Sequence, residues 1–265
     1  MSVAEAVSGD HLLVEQQGDV TVLRLNDPAT MNAVTEDIGR ALLKAFQAAA
    51  KSSRAVVLAG GERAFCSGAK LTGESTMGQP GHDTGAALER TYNPLMQAIR
   101  DLPIPFVTAV RGAAAGVGAS LAMSGDIIVA GRSAYFLEAF ARIGLVPDGG
   151  ATWMLTRAVG RVRAMEMMLL AEKIPAEKAH DWGLVTRVVD DDAVEATALE
   201  IADRLAAGPS RALGLIRHAA WTACESSFDD ALARERAFQR EAGSHPDFVE
   251  GVAAFKEKRP ARFGG

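Results

Sequence analysis

Two glycine-rich segments, each following an apolar stretch, are the residues of this 265-residue chain best suited to chemistry. The first reads Ala64-Phe-Cys-Ser-Gly-Ala69 and the second Gly112-Ala-Ala-Ala-Gly-Val-Gly118. Glycine in a turn lets the main chain approach a ligand closely. Val117 opens an apolar helical run, whose first amides lack partners within the helix and carry a partial positive charge. The pattern predicts two backbone N–H groups that bind an anion, as in an oxyanion hole.

The elements that must position these turns alternate between strand and helix. The sequence predicts a β-hairpin at 12–14 and 20–25, an amphipathic helix at 35–50 and a buried strand at 55–59. Further strands and a helix follow at 106–110, 117–123 and 127–130, which predicts an α/β core. The later patterns are all helical, at about 194–207, 210–224, 228–242 and 246–256. We therefore expect an α/β core of residues 1–193 and a helical module of residues 194–265.

Composition narrows the class of protein. The chain is 48% hydrophobic and has a formal net charge of −5, which argues against a nucleic-acid partner. Its two cysteines, Cys66 and Cys224, and its five histidines show no metal-binding spacing, so no metal site is predicted. The N-terminal residues lack a signal-peptide pattern, and no apolar run is long enough to span a membrane. We expect a cytoplasmic protein without a membrane partner.

Several segments together resemble the crotonase (enoyl-CoA hydratase/isomerase) superfamily, in the same order and along nearly the whole chain. Besides the two glycine-rich turns they are Val20-Thr-Val-Leu-Arg-Leu-Asn26, Met31-Asn-Ala-Val34, Gly125-Asp-Ile-Ile-Val-Ala-Gly131, Ile143-Gly-Leu-Val-Pro-Asp148 and Gly251-Val-Ala-Ala-Phe-Lys-Glu-Lys-Arg259. The resemblance implies a spiral of ββα units with a C-terminal helical module. It also implies that the terminal helices assemble the chain into a homotrimer or a dimer of trimers.

The same resemblance assigns roles to individual residues. The N–H groups that hold the thioester oxygen map onto Ala69 and Val117. Contacts with the coenzyme A part of an acyl-CoA substrate map onto a further set, which is Met31, Ser67, Ala69, Leu71, Phe255 and Lys258. Coenzyme A enters as part of the substrate, and no permanently bound cofactor is implied.

The chain departs from the family at the two glutamates with which its hydratases activate water, because Ser120 and Phe140 stand at those positions. Serine is a poor base without an activating partner, and phenylalanine transfers no proton. Glu138, two residues from Phe140, would lie on the same face of an extended segment about 7 Å further along. Asp148 matches the catalytic aspartate of related CoA isomerases, although Pro-Asp-Gly is also ordinary turn chemistry.

These residues favour a double-bond isomerase with Asp148 as proton shuttle. Two alternatives remain open on sequence. One is an enoyl-CoA hydratase that activates water with Asp148, Glu138 or a residue of the polar segment 73–84. The other is a coenzyme A-binding protein with little catalysis, since such a protein needs only the two backbone donors.

Overall fold

The computed structural model describes residues 11–70, 79 and 81–264, and two β-sheets form its core. The strands are β1 (Leu12–Gln17), β2 (Val20–Leu25), β3 (Ala55–Ala59), β4 (Ala64–Cys66), β5 (Phe106–Val110), β6 (Ala113–Ala115), β7 (Ile127–Gly131), β8 (Tyr135–Leu137), β9 (Ile174–Pro175) and β10 (Arg187–Val189). The helices are α1 (Glu36–Ser52), α2 (Asn93–Arg100), α3 (Val117–Met123), α4 (Ala151–Ala158), α5 (Gly160–Leu170), α6 (Ala176–Asp181), α7 (Val194–Ala206), α8 (Ser210–Ala223), α9 (Phe228–Gly243) and α10 (Pro246–Glu257).

The larger sheet has six strands in the order β1-β2-β3-β5-β7-β10. The hairpin β1–β2 is antiparallel, and the remaining neighbours pair in parallel. Every residue of β3 and β5 is buried, as expected for parallel strands that are covered on both faces. The hairpin is longer than predicted, because Gln16 and Gln17 pair with the start of β2 and leave a two-residue turn, Gly18-Asp19.

The smaller sheet has the order β4-β6-β8-β9, and its first three strands are parallel. Each of these strands follows a strand of the larger sheet and precedes a helical segment. The chain therefore repeats a unit of two strands and a helix, as β3-β4-α2, β5-β6-α3 and β7-β8-α4. This repeat confirms the predicted α/β fold built as a spiral of ββα units.

Helices cover both sheets. Thr35 caps α1, since its hydroxyl accepts a hydrogen bond from the Ile38 amide at 3.2 Å, and the buried face of α1 includes Leu42 and Phe46. Helix α7 packs on the other side of the larger sheet, where Ala198 and Ala202 join a cluster with strand residues. Within the described part of the chain, no helix has the length and the apolar composition that a membrane span requires.

Helices α8, α9 and α10 follow α7 without a strand between them, and their bounds lie within two residues of the predicted ones. Arg217 fastens α8 to the core. Its guanidinium lies 2.8 Å from the Asp126 carboxylate and also donates to the carbonyl oxygens of Ile99 and Leu102, at the end of α2. Helix α9, in contrast, buries none of its residues in a single chain.

Candidate active site

Three parallel strands of the smaller sheet, β4, β6 and β8, end at one edge. Residue 115 of β6 pairs with residue 137 of β8, and β4 pairs with the other side of β6. The residues that follow these strands therefore lie side by side. They are the segment 67–69 after β4, the segment 116–117 after β6, and Glu138 after β8.

The two glycine-rich turns touch each other. Gly68 and Gly116 both have positive φ angles, of 107° and 53°. A Cβ atom on Gly68 would lie 3.0 Å from the carbonyl oxygen of Ala115, and one on Gly116 would lie 3.9 Å from the Cα of Gly68. A side chain at either position would strain the backbone, and at Gly68 it would also crowd the facing turn.

The backbone N–H groups of Ala69 and Val117 have no hydrogen-bond partner among the described residues. Ala69 forms an isolated parallel bridge with Val34, but that bridge uses the carbonyl of Gly68 and the amide of Lys70, at 2.8 and 3.0 Å. Val117 is the first residue of α3, so its amide has no acceptor within the helix. The fold thus leaves a donor free in each of two adjacent turns.

The first turn is held against the loop that contains Met31. The Ser67 amide donates to the Met31 carbonyl at 3.0 Å, and the Ser67 hydroxyl donates to the Thr30 carbonyl at 2.9 Å. Met31 and Asn32 both adopt left-handed backbone conformations. The buried Asn32 side chain donates to the Ala64 carbonyl of β4 at 2.9 Å. This role of Asn32 was not predicted from the sequence, although asparagine tolerates the left-handed conformation better than most residues.

Asp148 follows the 3₁₀ helix Ala139–Ile143 and precedes α4. Its carboxylate does not cap that helix, which begins after Gly150 without a side-chain cap. Its Oδ1 atom is buried and has no hydrogen-bond partner among the described residues. Burial raises the pKa of Asp148 to about 6. Ordinary turn or capping chemistry therefore does not account for this carboxyl group.

Ser120 holds the Asp148 turn against α3. Its hydroxyl donates to the backbone carbonyl of Asp148 at 2.9 Å, and the side chain is fully buried. A Cβ atom on Gly149 would lie 2.8 Å from the Ser120 Cβ and 3.3 Å from a methyl group of Val117. The helix that presents the Val117 amide thus also positions Asp148. This positioning role of Ser120 was not predicted from the sequence.

Glu138 is fully buried, and neither oxygen of its carboxyl group has a hydrogen-bond partner among the described residues. Burial and the nearby negative charge of Asp148 raise the pKa of Glu138 to about 8. The segment from Glu138 to Phe140 is not extended, contrary to the prediction, because Phe140 lies in a 3₁₀ helix that starts directly after Glu138. The Phe140 ring instead lies 3.6 Å from where a Cβ of Gly116 would be.

Other predicted site residues lie elsewhere. Phe255 and Lys258 are on and just after α10, whose main packing partner is α9, and Phe255 is 85% exposed. Leu71 and most of the polar segment 73–84 lie outside the described residues. Cys66 is buried, and burial raises the pKa of its thiol to about 12, so it is not a reactive nucleophile.

A cavity of about 770 Å³ lies between α2, α4 and α8. It includes Gly149 and Gly150 of the Asp148 turn and the stacked pair Trp153 and Trp221, whose ring centroids are 5.3 Å apart. Neither Ala69 nor Val117 lines it. The two free amides therefore lie outside this cavity.

Comparison with known proteins identifies the family of the chain. The sequence matches the enoyl-CoA hydratase/isomerase family over residues 15–265. It is 40% identical to 1,2-epoxyphenylacetyl-CoA isomerase of Escherichia coli K12, over 97% of this chain and 99% of that protein. It is 43% identical to a protein of Rhodobacter capsulatus named "probable enoyl-CoA hydratase", over 93% of this chain and 95% of that protein.

The fold is also similar to that of solved structures. The enoyl-CoA hydratase of Mycobacterium smegmatis superposes with a TM-score of 0.88 at 32% identity, and the match covers 96% of this chain and 98% of that one. The ββα spiral, the paired turns and these similarities lead to one conclusion. The chain belongs to the enoyl-CoA hydratase/isomerase family, the crotonase superfamily.

Proposed function

We propose that this protein is an acyl-CoA double-bond isomerase in which Asp148 moves the proton. The observation that carries the proposal is the buried, unpartnered Oδ1 of Asp148, in a turn that packs on the same helix as the Val117 amide. The two positions at which hydratases of the family carry glutamates hold Ser120 and Phe140. The relative named 1,2-epoxyphenylacetyl-CoA isomerase is consistent with isomerase chemistry.

The proposed reaction needs one base and two backbone donors. The Asp148 carboxylate removes a proton from the α-carbon of a 3-enoyl thioester, and the electron pair moves onto the thioester oxygen. The amides of Ala69 and Val117 stabilise that oxyanion, which preorganised donors do by several kcal/mol. The protonated Asp148 then returns the proton to the γ-carbon as the double bond moves into conjugation. No water is consumed.

Substrate contacts follow from the same placement. Ser67 and Ala69 belong to the first turn and Met31 lies against it, so these residues can line the path of the coenzyme A part of the thioester. Phe255 and Lys258 lie on and just after α10, away from the paired turns of the same chain. In a trimer, they would contact the coenzyme A part of a substrate bound by a neighbouring chain. Coenzyme A would enter as part of the substrate, and no resident cofactor is needed.

A hydratase is the second candidate, and the observation that favours it is the presence of two carboxyl groups, Asp148 and Glu138, near the turns. Glu138 is completely buried, so in this reading Asp148 would activate the water. A coenzyme A-binding protein without catalysis would have no use for an unpartnered carboxylate there. Burying such a group without compensation costs stability, which argues for a functional role.

The proposal is tested by incubating the protein with 2-enoyl, 3-enoyl and ring-derived CoA esters and analysing the products by mass spectrometry and NMR. Isomerisation leaves the mass unchanged and moves the double bond, whereas hydration adds the mass of one water. Conversion of 3-enoyl to 2-enoyl esters without hydration is the expected result. Hydration as the dominant reaction would establish the second candidate, and coenzyme A binding with no turnover would leave only the third.

A further inference from the structure

Glu138 is a buried titratable group that the proposed mechanism does not use. Its side chain is 0% exposed, and both carboxyl oxygens lack hydrogen-bond partners in the described part of the chain. Removing a carboxyl group from water without providing donors disfavours its charged form strongly. A glutamate at a fully buried position without hydrogen-bond donors therefore requires an explanation.

The fold places Glu138 directly beside the second glycine-rich turn, which contains Gly116 and Val117. Leu137, the last residue of β8, pairs with Ala115 of β6, and the Gly116 amide donates to the Leu137 carbonyl at 2.9 Å. Glu138 therefore follows β8 in the same way that Gly116 follows β6. Neighbouring strands lie about 4.8 Å apart, so the Glu138 backbone is one strand spacing from the turn that presents the Val117 amide.

Asp148 is the charged group that acts on Glu138. Strand β8, which ends directly before Glu138, contacts β6, β9 and α6, and the 3₁₀ helix 139–143 that follows it contacts α5. Strand β6 in turn contacts α3, and α3 contacts α4. Strands β6 and β9 and helix α3 contain no titratable residue. The charged groups on or next to the other elements have other partners. Four cations lie over aromatic rings: Arg157 over Trp153, Arg163 and Lys178 over Trp182, and Lys173 over Tyr135. The remaining groups pair with other residues or with solvent: Glu166 with Lys178, Glu177 with Arg132, His180 near Asp181, Arg142 with the Ala171 carbonyl, and Arg161, which is exposed.

We propose that Glu138 is a positioning residue that acts as a neutral carboxylic acid and keeps the Glu138–Asp148 pair at a single negative charge, so that Asp148 alone is the base. This inference rests on the proposed isomerase function. A second negative charge beside the two amides would oppose the build-up of charge on the thioester oxygen. An acid held neutral by apolar surroundings avoids that repulsion.

The expected consequence is a bell-shaped dependence of kcat on pH. Activity rises as Asp148 loses its proton near pH 6, and it falls as Glu138 loses its proton near pH 8. Glu138→Gln keeps the shape of the side chain and cannot ionise. It should retain the rising limb and lose the falling one. Glu172→Gln, at an exposed glutamate, is the matched control and should keep both limbs. An unchanged falling limb in Glu138→Gln would overturn the proposal.

A second measurement does not depend on activity. The carboxyl carbons of glutamate are labelled with ¹³C, and the signal missing in Glu138→Gln is titrated in the full-length wild-type protein. We expect it to titrate near pH 8, and to titrate at a lower pH in Asp148→Asn, because that variant removes the neighbouring negative charge. Titration near the ordinary glutamate value of about 4.3 would refute the neutral acid.

The two measurements separate this inference from the proposed function. If Asp148→Asn abolishes isomerisation but Glu138 titrates normally, the isomerase stands and the role of Glu138 falls. If no substrate is isomerised but Glu138 titrates near pH 8, the charge state of the pair is confirmed and the isomerase is rejected.

Discussion

Asp148 is the residue on which the proposed chemistry depends. Buried polar groups in folded proteins nearly always have hydrogen-bond partners, and exceptions are concentrated at functional sites. Asp148 combines such an exception with a pKa raised by burial to about 6, which suits a base that works near neutral pH. The backbone carbonyl of the same residue is held firmly, by the Ser120 hydroxyl and by the Ala151 amide.

Asp148→Asn should reduce isomerase turnover about 10²-fold or more, because asparagine keeps the size of the side chain and removes the base. Binding of coenzyme A and the melting temperature should stay near those of the wild type. Steady-state kinetics, calorimetric titration and thermal unfolding measure these three quantities.

Ser120→Ala is the matched control, since it removes only the hydrogen bond to the Asp148 carbonyl. A net hydrogen bond is worth about 1 kcal/mol, so we expect a loss below about tenfold. If Asp148→Asn hydrates substrates unchanged while Ser120→Ala abolishes hydration, Ser120 orients water and the isomerase proposal is wrong.

The raised pKa of Glu138 also predicts how stability depends on pH. Between about pH 4.5 and 8 the folded protein keeps a proton on Glu138 that the unfolded chain has lost, so stability falls as pH rises through this window. Asp148 adds a similar effect between about pH 3.8 and 6, because burial raises its pKa over that range. Between pH 6 and 8, urea unfolding should show the wild type losing about 1.4 kcal/mol per pH unit relative to Glu138→Gln. Parallel curves for the two proteins would contradict this.

At the scale of elements, helix α3 is the common support of the site. Its first amide is the proposed donor of Val117, its buried face holds Ser120, and the Asp148 turn packs against it through Gly149. The donor and the base are therefore positioned by one short helix. A change that separates Gly149 from α3 should displace the base from the donors.

Gly149→Ala tests this packing. Gly149 has a φ of 59°, and an added Cβ would lie 2.8 Å from the Ser120 Cβ. We expect a loss of about 1–2 kcal/mol from the left-handed backbone and a further loss of about 1–3 kcal/mol from overpacking. Turnover should fall at least about tenfold as Asp148 moves.

Gly144→Ala is the matched control, because Gly144 has a φ of 72° and its Cβ would meet nothing within 4 Å. This variant should lose stability only through the left-handed backbone, and its turnover should stay near that of the wild type. Equal losses in the two variants, in melting temperature and in kcat, would show that the contact with Ser120 is unimportant.

Arg217 is the second element-scale determinant, because it joins α8 to the end of α2 and to Asp126. Arg217→Met should destabilise the fold by about 3–5 kcal/mol, since it removes the buried guanidinium that pairs with Asp126 and leaves the carbonyl oxygens of Ile99 and Leu102 without their donor. Arg132→Met breaks exposed ion pairs and should cost less than about 1 kcal/mol. Denaturant unfolding measures the difference, and a small effect at Arg217 would contradict the assignment.

At the scale of the whole molecule, the C-terminal helices are incompletely buried. Helix α9 buries none of its 16 residues, and α10 buries only Asp247 and Ala254. Large apolar side chains on α8, α9 and α10 are 46–85% exposed; they are Ile216, Phe228, Leu232, Phe248, Val249 and Phe255. Helices gain most of their stability from packing an apolar face, so these helices are expected to pack against other chains.

We expect a trimer or a dimer of trimers in solution, with stoichiometry taken from the family resemblance. Leu199 and Leu205 of α7 pack against the larger sheet and do not add to this surface, whereas Ile216 of α8 is 64% exposed. Light scattering at micromolar concentration should give a mass that is a multiple of three chains. A monomer that persists throughout this range would refute the assembly.

The sequence by itself determined the features that rest on local pattern. Helical periodicity located the C-terminal helices to within two residues, and apolar runs located β3, β5 and most of β7. The two glycine-rich turns and the other family-like segments, in the same order along the chain, identified the family. Such features can be predicted because the spacing of apolar residues along a helix or strand follows the periodicity of that element.

Only the tertiary structure decided how the site is assembled. The short strand Ala113–Ala115 has a sequence that favours helix, and it is a strand because it pairs between β4 and β8. That pairing brings Gly68, Gly116 and Glu138 to one edge. The contact of Ser120 with the Asp148 carbonyl joins residues 28 positions apart, and burial together with the charge on Asp148 raises the pKa of Glu138. Burial and electrostatic coupling depend on distances between remote segments, and spacing along the chain does not contain them.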